Sequence, residues 1–280
     1  MSSNDITVAY PGREGAHSAA ACDRLFPAAR IVPQPSFTEV VDAVTAGTST
    51  YGVLPIESSL VGAVAETHDI LYEGHLSIVG ETVLPIRHCL AGVEHVRLDE
   101  VRVVRSHPMA LDQCRVLLAS MPGAAVVATS TTAEAAREAA EEGDPTVAVI
   151  VGAEGASLYG LTVIADDVGD SPGFTRFVSI APYTLVDVNP ASARTALTFV
   201  TKHRPGALHA AIAPFAKAGL DLERLVSRPL PATPWKYRFD AVIDGHPLSP
   251  AVRLALREVR ELTRELRVTG VYEAHDKEEE

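Results

Sequence analysis

The sequence predicts an α/β protein in which a large first region is followed by a smaller module with its own core. Three observations predict this. Through residues 1–185, short Val/Ile-rich runs alternate with Ala-rich stretches of helical period, the rhythm of a mainly parallel sheet with helices on its faces. Near residue 76 the rhythm gives way to the long strand-like segment LSIVGETVLPIRHCLAG and then resumes, so a second α/β lobe is inserted in the first. Beyond residue 192 the order becomes βαββαβ, which describes a four-stranded antiparallel sheet with two helices on one face.

The elements follow in order. DITVAY is the first strand, and it runs through Pro11-Gly12 and Gly15 into a helix beginning near Ser18. ARIVPQP is a short strand. Ser36 caps the helix FTEVVDAVTAG, with Glu39 completing a capping box and Gly47 ending the helix. YGVLPIE is a buried strand that delivers Pro55, Glu57, Ser58 and Ser59 into a loop with Gly62. EVRVVRS is a strand, His107-Pro108 opens a helix through MALDQCRVLLAS, and AAVVAT is a strand. An Ala/Glu-rich helix spans Ser130–Glu142, with Ser130 or Thr131 as cap and Gly143 as stop. TVAVIVG, a short helix to Gly160 and LTVIADDV complete the inserted lobe, and the chain returns at FTRFVSIAP. APYTLVDVNPAS is the linker candidate. In the module, RTALTFVTKH is a strand and RPGALHAAIAPFAKAG a helix closed by Gly219. DLERLVSRPL and KYRFDAVIDG are hairpin-like neighbours, Ser249–Arg264 is a second helix, and LRVTGVY is the last strand.

Composition narrows the function. With 280 residues and 47% hydrophobic content the chain can bury more than one core. The N-terminus lacks a basic stretch followed by an apolar run, so no signal peptide is expected. No apolar segment approaches the roughly 18 residues of a membrane span. Cys22, Cys89 and Cys114 form neither a metal motif nor an even disulfide set and read as core thiols of a reducing, cytoplasmic compartment. Of the formal net charge of −12, residues 1–190 contribute 24 acidic and 10 basic side chains, against 12 and 14 in residues 191–280. So acidic a front region is a poor partner for nucleic acid or a membrane, and it makes each of its few arginines worth weighing as an anion ligand.

Small polar residues gather at the strand ends: Ser18 with Gly15, Glu57-Ser58-Ser59 with Gly62, Ser106-His107, Ser130 to Thr132, and Thr175-Arg176. Strand-to-helix turns expose backbone N–H groups that suit carboxylates; the competing reading is plain helix capping, which fits Ser130 best. Arg176 sits on the strand that returns between the two expected lobes, where it suits a bidentate carboxylate contact or a salt bridge between lobes. Thr175 could act only as a weak acid or hydrogen-bond donor. His107 reads as a cap or packing residue, and Arg228 reads equally well as structural. No dinucleotide fingerprint, Walker loop or HExxH is present, and the histidines lack metal-ligand spacing, so a metal site is not expected.

Taken together, these segments resemble the prephenate dehydratases, a catalytic domain followed by an ACT regulatory domain. PGREGAHS at 11–18 is similar to the family's Gly-Pro-x-Gly-Thr-[Phe/Tyr]-Ser, and PIESS at 55–59 to its Pro-Ile-Glu-Asn-Ser loop, followed by LVGAVAETHDIL. SHPMALDQC at 106–114 resembles Ser-His-Pro-x-Ala-Leu-x-Gln-Cys, and Thr175-Arg176-Phe177 matches the Thr-Arg-Phe signature. RPGAL at 204–208 and LVSRP at 225–229 resemble the GAL and Glu-Ser-Arg-Pro motifs of the second domain.

The resemblance implies a two-lobed, periplasmic-binding-protein-like catalytic region with a central cleft over residues 1–185. Lobe 1 would take about 1–80 and 172–185, and lobe 2 about 81–171. A linker at 186–192, an ACT-like domain at 193–273 and a disordered tail at 274–280 would follow. It implies conversion of prephenate to phenylpyruvate, water and carbon dioxide without cofactor. Thr175 would assist the departing hydroxyl, Arg176 would hold a carboxylate and Glu57 would orient loop groups. Ser18, Ser58, Ser59, Ser106, Thr131, Thr132 and Phe177 would line the substrate site. L-phenylalanine would be the effector, bound at Gly206, Ala207, Leu208, Ser227, Arg228 and Pro229 in a homodimer or homotetramer. The edge strands of an isolated module sheet independently suggest an oligomeric contact. Five positions depart from the family pattern: Ala16, Ser58, Met109 and Gly173 reduce polarity in the catalytic region, and Val226 replaces the acid of the regulatory motif. These departures leave room for arogenate as substrate or for a non-catalytic amino-acid sensor. A third reading, decarboxylation with the hydroxyl kept, is disfavoured by Thr175.

Overall fold

A computed structural model describes residues 6–74, 76–94, 96–183, 188–231 and 233–273. The expected tail at 274–280 and the first part of the expected linker lie outside the described residues. The chain is organised as two compact units, one of residues 1–40, 58–61 and 83–175, the other of residues 41–57, 62–82 and 176–280. This division differs from the expected lobes, because the C-terminal module shares a unit with segments of the first region.

In chain order the elements are β1 (Thr7–Pro11), α1 (His17–Leu25), β2 (Arg30–Gln34), α2 (Phe37–Thr45), β3 (Tyr51–Ser58), β4 (Gly62–Ala63), α3 (Ala65–Glu73) and β5 (Ser77–Ile86). Then come β6 (Cys89–Gly92), a 3₁₀ turn at Leu98–Glu100, β7 (Val103–Ser106), α4 (Pro108–Asp112), α5 (Arg115–Ala119) and β8 (Ala125–Ala128). These lead to α6 (Thr132–Glu142), β9 (Val147–Val151), α7 (Ala153–Leu158), β10 (Thr162–Ala165) and β11 (Gly173–Ala181). The module contributes β12 (Ala193–Thr201), α8 (Ala207–Lys217), β13 (Leu222–Pro229), β14 (Tyr237–Asp244), α9 (Pro250–Leu262) and β15 (Thr263–Glu273).

In the first unit, β1 and β2 pair in parallel, and a five-stranded sheet runs β10-β6-β9-β7-β8. Its centre is VAVIV of β9, buried throughout. Period-two alternation sends Val147, Val149 and Val151 to a face covered by alanines of α6 and α7. Ala148 and Ile150 face Leu111, Cys114 and Met121 on the other side, so helices cover both faces. The sheet is mixed rather than mainly parallel: β9, β7 and β8 are parallel, whereas β6 and β10 join antiparallel.

The single helix expected after His107-Pro108 is two. Cys114 leaves helical geometry at φ −124° and ψ 36°. The Asp170 carboxylate, from a distant loop, accepts from the backbone N–H groups of Arg115 at 2.9 Å and Val116 at 3.0 Å, capping a fresh helix start.

In the second unit the strands run β13-β14-β12-β15-β5-β11-β3. The expected βαββαβ order is present, with β12, β13, β14 and β15 antiparallel. One face of this sheet packs Leu197, Phe199, Ala241 and Ile243 against Ala211 and Phe215 of α8 and Val252, Leu256 and Val259 of α9. The module sheet does not stop at β15, whose Gly270 pairs in parallel with Ile78 of β5. A Cβ at Gly270 would lie 2.5 Å from the Ile78 carbonyl oxygen, so only glycine lets the two backbones approach this closely.

Candidate functional site

Arg176 lies on β11 immediately after Thr175, and both are partly exposed. The next residue, Phe177, opens the buried stretch of this interior strand, which continues to Ala181. The guanidinium meets two carboxylates of its own unit. Nη1 donates to Glu81 Oε1 at 2.6 Å, and Nε stands 3.5 Å from Glu57 Oε2. Nη2 has no partner among the described residues, and the side chain keeps 25% of its exposure.

Glu81 is the better-held carboxylate, with a side chain 1% exposed. Its Oε1 also accepts from Arg194 Nη1 of β12 at 2.8 Å, and its Oε2 from the Tyr272 hydroxyl of β15 at 3.2 Å. Burial pushes the Tyr272 phenol upward and the neighbouring Glu81 charge adds to it, so this hydroxyl stays protonated and donates. Glu57 is flanked on its other side by Arg224 Nη1 of β13 at 3.5 Å. The cluster thus alternates charge: Arg224, Glu57, Arg176, Glu81, Arg194. Within it only Glu81 and Arg194 are buried, where losing one partner typically costs about 3–5 kcal/mol; the contacts of the more exposed Glu57 are screened by solvent.

The other expected site residues are distributed as follows. Ser59 clamps the residue before Thr175, its Oγ accepting from Phe174 N at 2.9 Å while its own N–H donates to Phe174 O at 2.9 Å. Ser58 Oγ accepts from Leu60 N at 3.3 Å in a local turn. Ser18 lies in the first turn of α1, partly buried. Thr131 Oγ1 caps α6 by accepting from Glu134 N at 3.0 Å, with Thr132 opening the helix; the cap is therefore Thr131 and not Ser130. Ser106 is fully buried, and its hydroxyl donates to Ile150 O at 2.6 Å. That contact and the burial of Phe177 correct the expectation that both side chains line a ligand site. The strands carrying them turn those side chains inward.

His107 caps α4 through Nδ1, which accepts from Met109 N at 3.2 Å, and burial holds its pKa below the usual value. With Pro108, Met109, Asp112, Gln113, Arg115, Asp170, Leu60 and Val61 it lines a pocket of about 560 Å³ in the first unit. Behind Gln113 runs a buried polar chain, with His88 Nε2 2.8 Å from Gln113 Oε1 and the His17 ring 6.2 Å from that of His88. Burial, and then the proximity of His88, lower the His17 pKa to about 4, so that ring is neutral. At Gly173 a Cβ would lie 3.0 Å from Leu60 Cδ1. At Ala16 the start of α1 has no side-chain cap.

In the module, Gly206, Ala207 and Leu208 line a second pocket of about 350 Å³ with His203, Arg204, Trp235 and Arg264. Gly206 takes φ 77° ahead of α8. Ser227 and Pro229 are exposed, and Arg228 instead pairs with Asp69 of α3 at 2.8 Å. Ser227 and Pro229 pair across the sheet with Phe239 and Tyr237, which line the same pocket. Cys22, Cys89 and Cys114 are free and buried. No helix among the described residues is long and apolar enough to cross a membrane.

Sequence reasoning missed Glu81, Arg194 and Arg224. One signal was available for Glu81: it is the only charge in the otherwise apolar strand SIVGETVLPI.

Fold and site together define an α/β protein with a clustered arginine–carboxylate site beside a threonine and a C-terminal βαββαβ sheet. The prephenate dehydratase family model matches residues 8–184, and the chain belongs to that family of lyases. It is 33% identical over 277 residues to arogenate dehydratase/prephenate dehydratase 2 of Arabidopsis thaliana, covering 95% of this chain and 72% of that protein. It is also 33% identical to the bifunctional chorismate mutase/prephenate dehydratase of Escherichia coli, over 84% of this chain and 61% of that longer protein. Among solved structures, prephenate dehydratase of Arthrobacter aurescens in complex with L-Phe superposes with a TM-score of 0.89 at 29% identity, covering 98% and 92% of the two chains. GqqA, described as a novel type of quorum-quenching acylase, superposes with a TM-score of 0.86 at 31% identity, covering 96% and 97%.

Proposed function

We propose that the chain catalyses the decarboxylative dehydration of prephenate to phenylpyruvate. The observation that carries this reading is the placement of Arg176, held between Glu57 and Glu81 with Nη2 unpartnered, next to Thr175. In the reaction the C–C bond to the ring carboxylate breaks and its electron pair enters the ring. The ring hydroxyl leaves with an added proton as water, and the product is aromatic. Aromatisation supplies the driving force, so the protein has to orient a dianion and ease one leaving group. Arg176 binds a carboxylate, and Thr175 gives the departing hydroxyl a hydrogen bond from a neutral donor. Ser59 sets the strand just before Thr175, and Glu57 orients Arg176. Ser18, Ser58, Thr131 and Thr132 supply further polar contacts.

Family membership and the βαββαβ order support reading residues 193–273 as an ACT domain. There L-phenylalanine binds against Gly206, Ala207 and Leu208, with Ser227, Arg228 and Pro229 of another copy completing the site in a homodimer or homotetramer. The complex of the Arthrobacter relative with L-Phe supports this effector.

The names of the plant relatives favour one second reading, arogenate as the preferred substrate. Purified protein incubated with prephenate, and separately with arogenate, at neutral pH decides between them by the ratio of kcat/KM. No acceleration of either over the spontaneous reaction by folded protein sinks the enzymatic reading. An acylase assay on the same preparation tests whether the activity named for GqqA belongs to this chain too. Thr175→Ala is expected to lower turnover more than about tenfold with the fold intact; unchanged turnover removes the residue from the mechanism.

A further inference from the structure

Resting on the reading of Arg176 as the carboxylate ligand, we infer that Glu81 is its positioning residue, and that Glu81 is itself set from the C-terminal module. Glu81 is nearly sealed from solvent, yet three groups converge on its two oxygens: Arg176 at 2.6 Å, Arg194 at 2.8 Å and Tyr272 at 3.2 Å. A buried carboxylate with three donors has one arrangement, because moving it would strand a charge away from water. Short charge-assisted bonds of this kind carry strong angular preference. Glu81 therefore fixes the plane of the Arg176 guanidinium and the direction of its unpartnered Nη2.

Two of the three donors belong to module strands, Arg194 to β12 and Tyr272 to β15. The same sheet sends Arg224 of β13 toward Glu57, the second carboxylate beside Arg176. Both carboxylates that orient Arg176 are thus held by module side chains. Gly270 brings β15 against Ile78 of β5, three residues before Glu81. A shift of the module strands changes the aim of Arg176 without any contact between module and substrate.

Steady-state kinetics with prephenate on the full chain test this. Glu81→Gln keeps the shape and removes the charge; it is expected to raise KM about tenfold while kcat stays within about threefold, the mark of lost ground-state binding. Glu81→Asp, which restores the charge, is expected to recover part of that loss. Removing a buried charge can unfold a protein, so two milder variants accompany it: Tyr272→Phe and Arg194→Gln are each expected to raise KM about threefold with kcat unchanged. A wild-type chain without activity overturns the reading of the site and this inference with it. An active wild type with KM unchanged or lowered in folded Glu81→Gln overturns the inference alone. So does a lowered melting temperature with normal KM in the two milder variants, which would make the cluster merely structural.

Discussion

The two faces of the module sheet are covered by different chemistry. Under α8 and α9 the contact is apolar, built from Leu197, Phe199, Phe215, Ala241, Ile243 and Val259. The opposite face lies under α3 and is ionic. Arg238 is 0% exposed, donates from Nη2 to Asp69 Oδ1 at 2.6 Å and to His68 O at 3.1 Å, and stacks 4.3 Å over the Tyr72 ring. Asp240 accepts from the Thr198 hydroxyl at 2.7 Å and lies 3.0 Å from His68 Nδ1. Arg267 donates to the carbonyls of Leu71 and Tyr72, placing a cation at the C-terminal end of α3, where Gly74 turns the chain at φ 86°. An apolar face stabilises wherever it is pressed against another apolar surface. An ionic one stabilises only in the register that satisfies each partner. The first face holds the module together, and the second fixes where it sits on α3.

Substitutions can break or sharpen that contrast. Phe215→Ala on the apolar face should destabilise the most, about 3–5 kcal/mol in urea unfolding, with little dependence on salt or pH. Arg238→Met on the ionic face is expected to cost about 3 kcal/mol, because Asp69 and the carbonyls of His68 and Pro229 lose their donor; a neutral or stabilising result would mean the arginine only fills space. Gly270→Ala should cost about 2 kcal/mol through its clash with the Ile78 backbone while leaving both faces intact. A near-wild-type melting curve for this variant would show that β15 and β5 can separate freely.

The smallest effect is the most diagnostic. Although burial pushes the Asp69 carboxyl upward, the hydrogen bonds and charges of Arg228 and Arg238 bring its pKa below the usual carboxylate value. Its folded pKa is depressed, so its contribution is present above the unfolded value near 4 and fades as pH falls through the folded one. The carboxylate is half exposed, so Asp69→Asn should cost under about 1 kcal/mol at neutral pH. The variant should lose less stability than wild type on acidification; parallel acid-unfolding curves for the two would remove Asp69 from the ionic face.

What the sequence made legible follows the same divide. Period-two and period-3.6 patterns located the strands and the helices over apolar faces, because burial of apolar side chains is written locally in their spacing. Thr175-Arg176 stood out because an arginine in an acidic region is conspicuous. Helix α3 went unassigned, since AETHDILYE has a weak apolar stripe and faces charged groups more than a hydrophobic core. The break between α4 and α5 was equally invisible, because the cap that restarts the helix is Asp170, 55 residues further along the chain from Arg115.

The order of most elements, α3 and the α4–α5 break aside, and the place of the candidate threonine and arginine in the chain were thus legible in the sequence alone, since each rests on interactions between near neighbours in the chain. The pairing of Arg176 with Glu81, of Glu81 with Arg194 and Tyr272, and of Arg238 with Asp69 was decided only in three dimensions. A charged residue names its partner's sign but not its address, and these partners are separated by 95 to 191 residues.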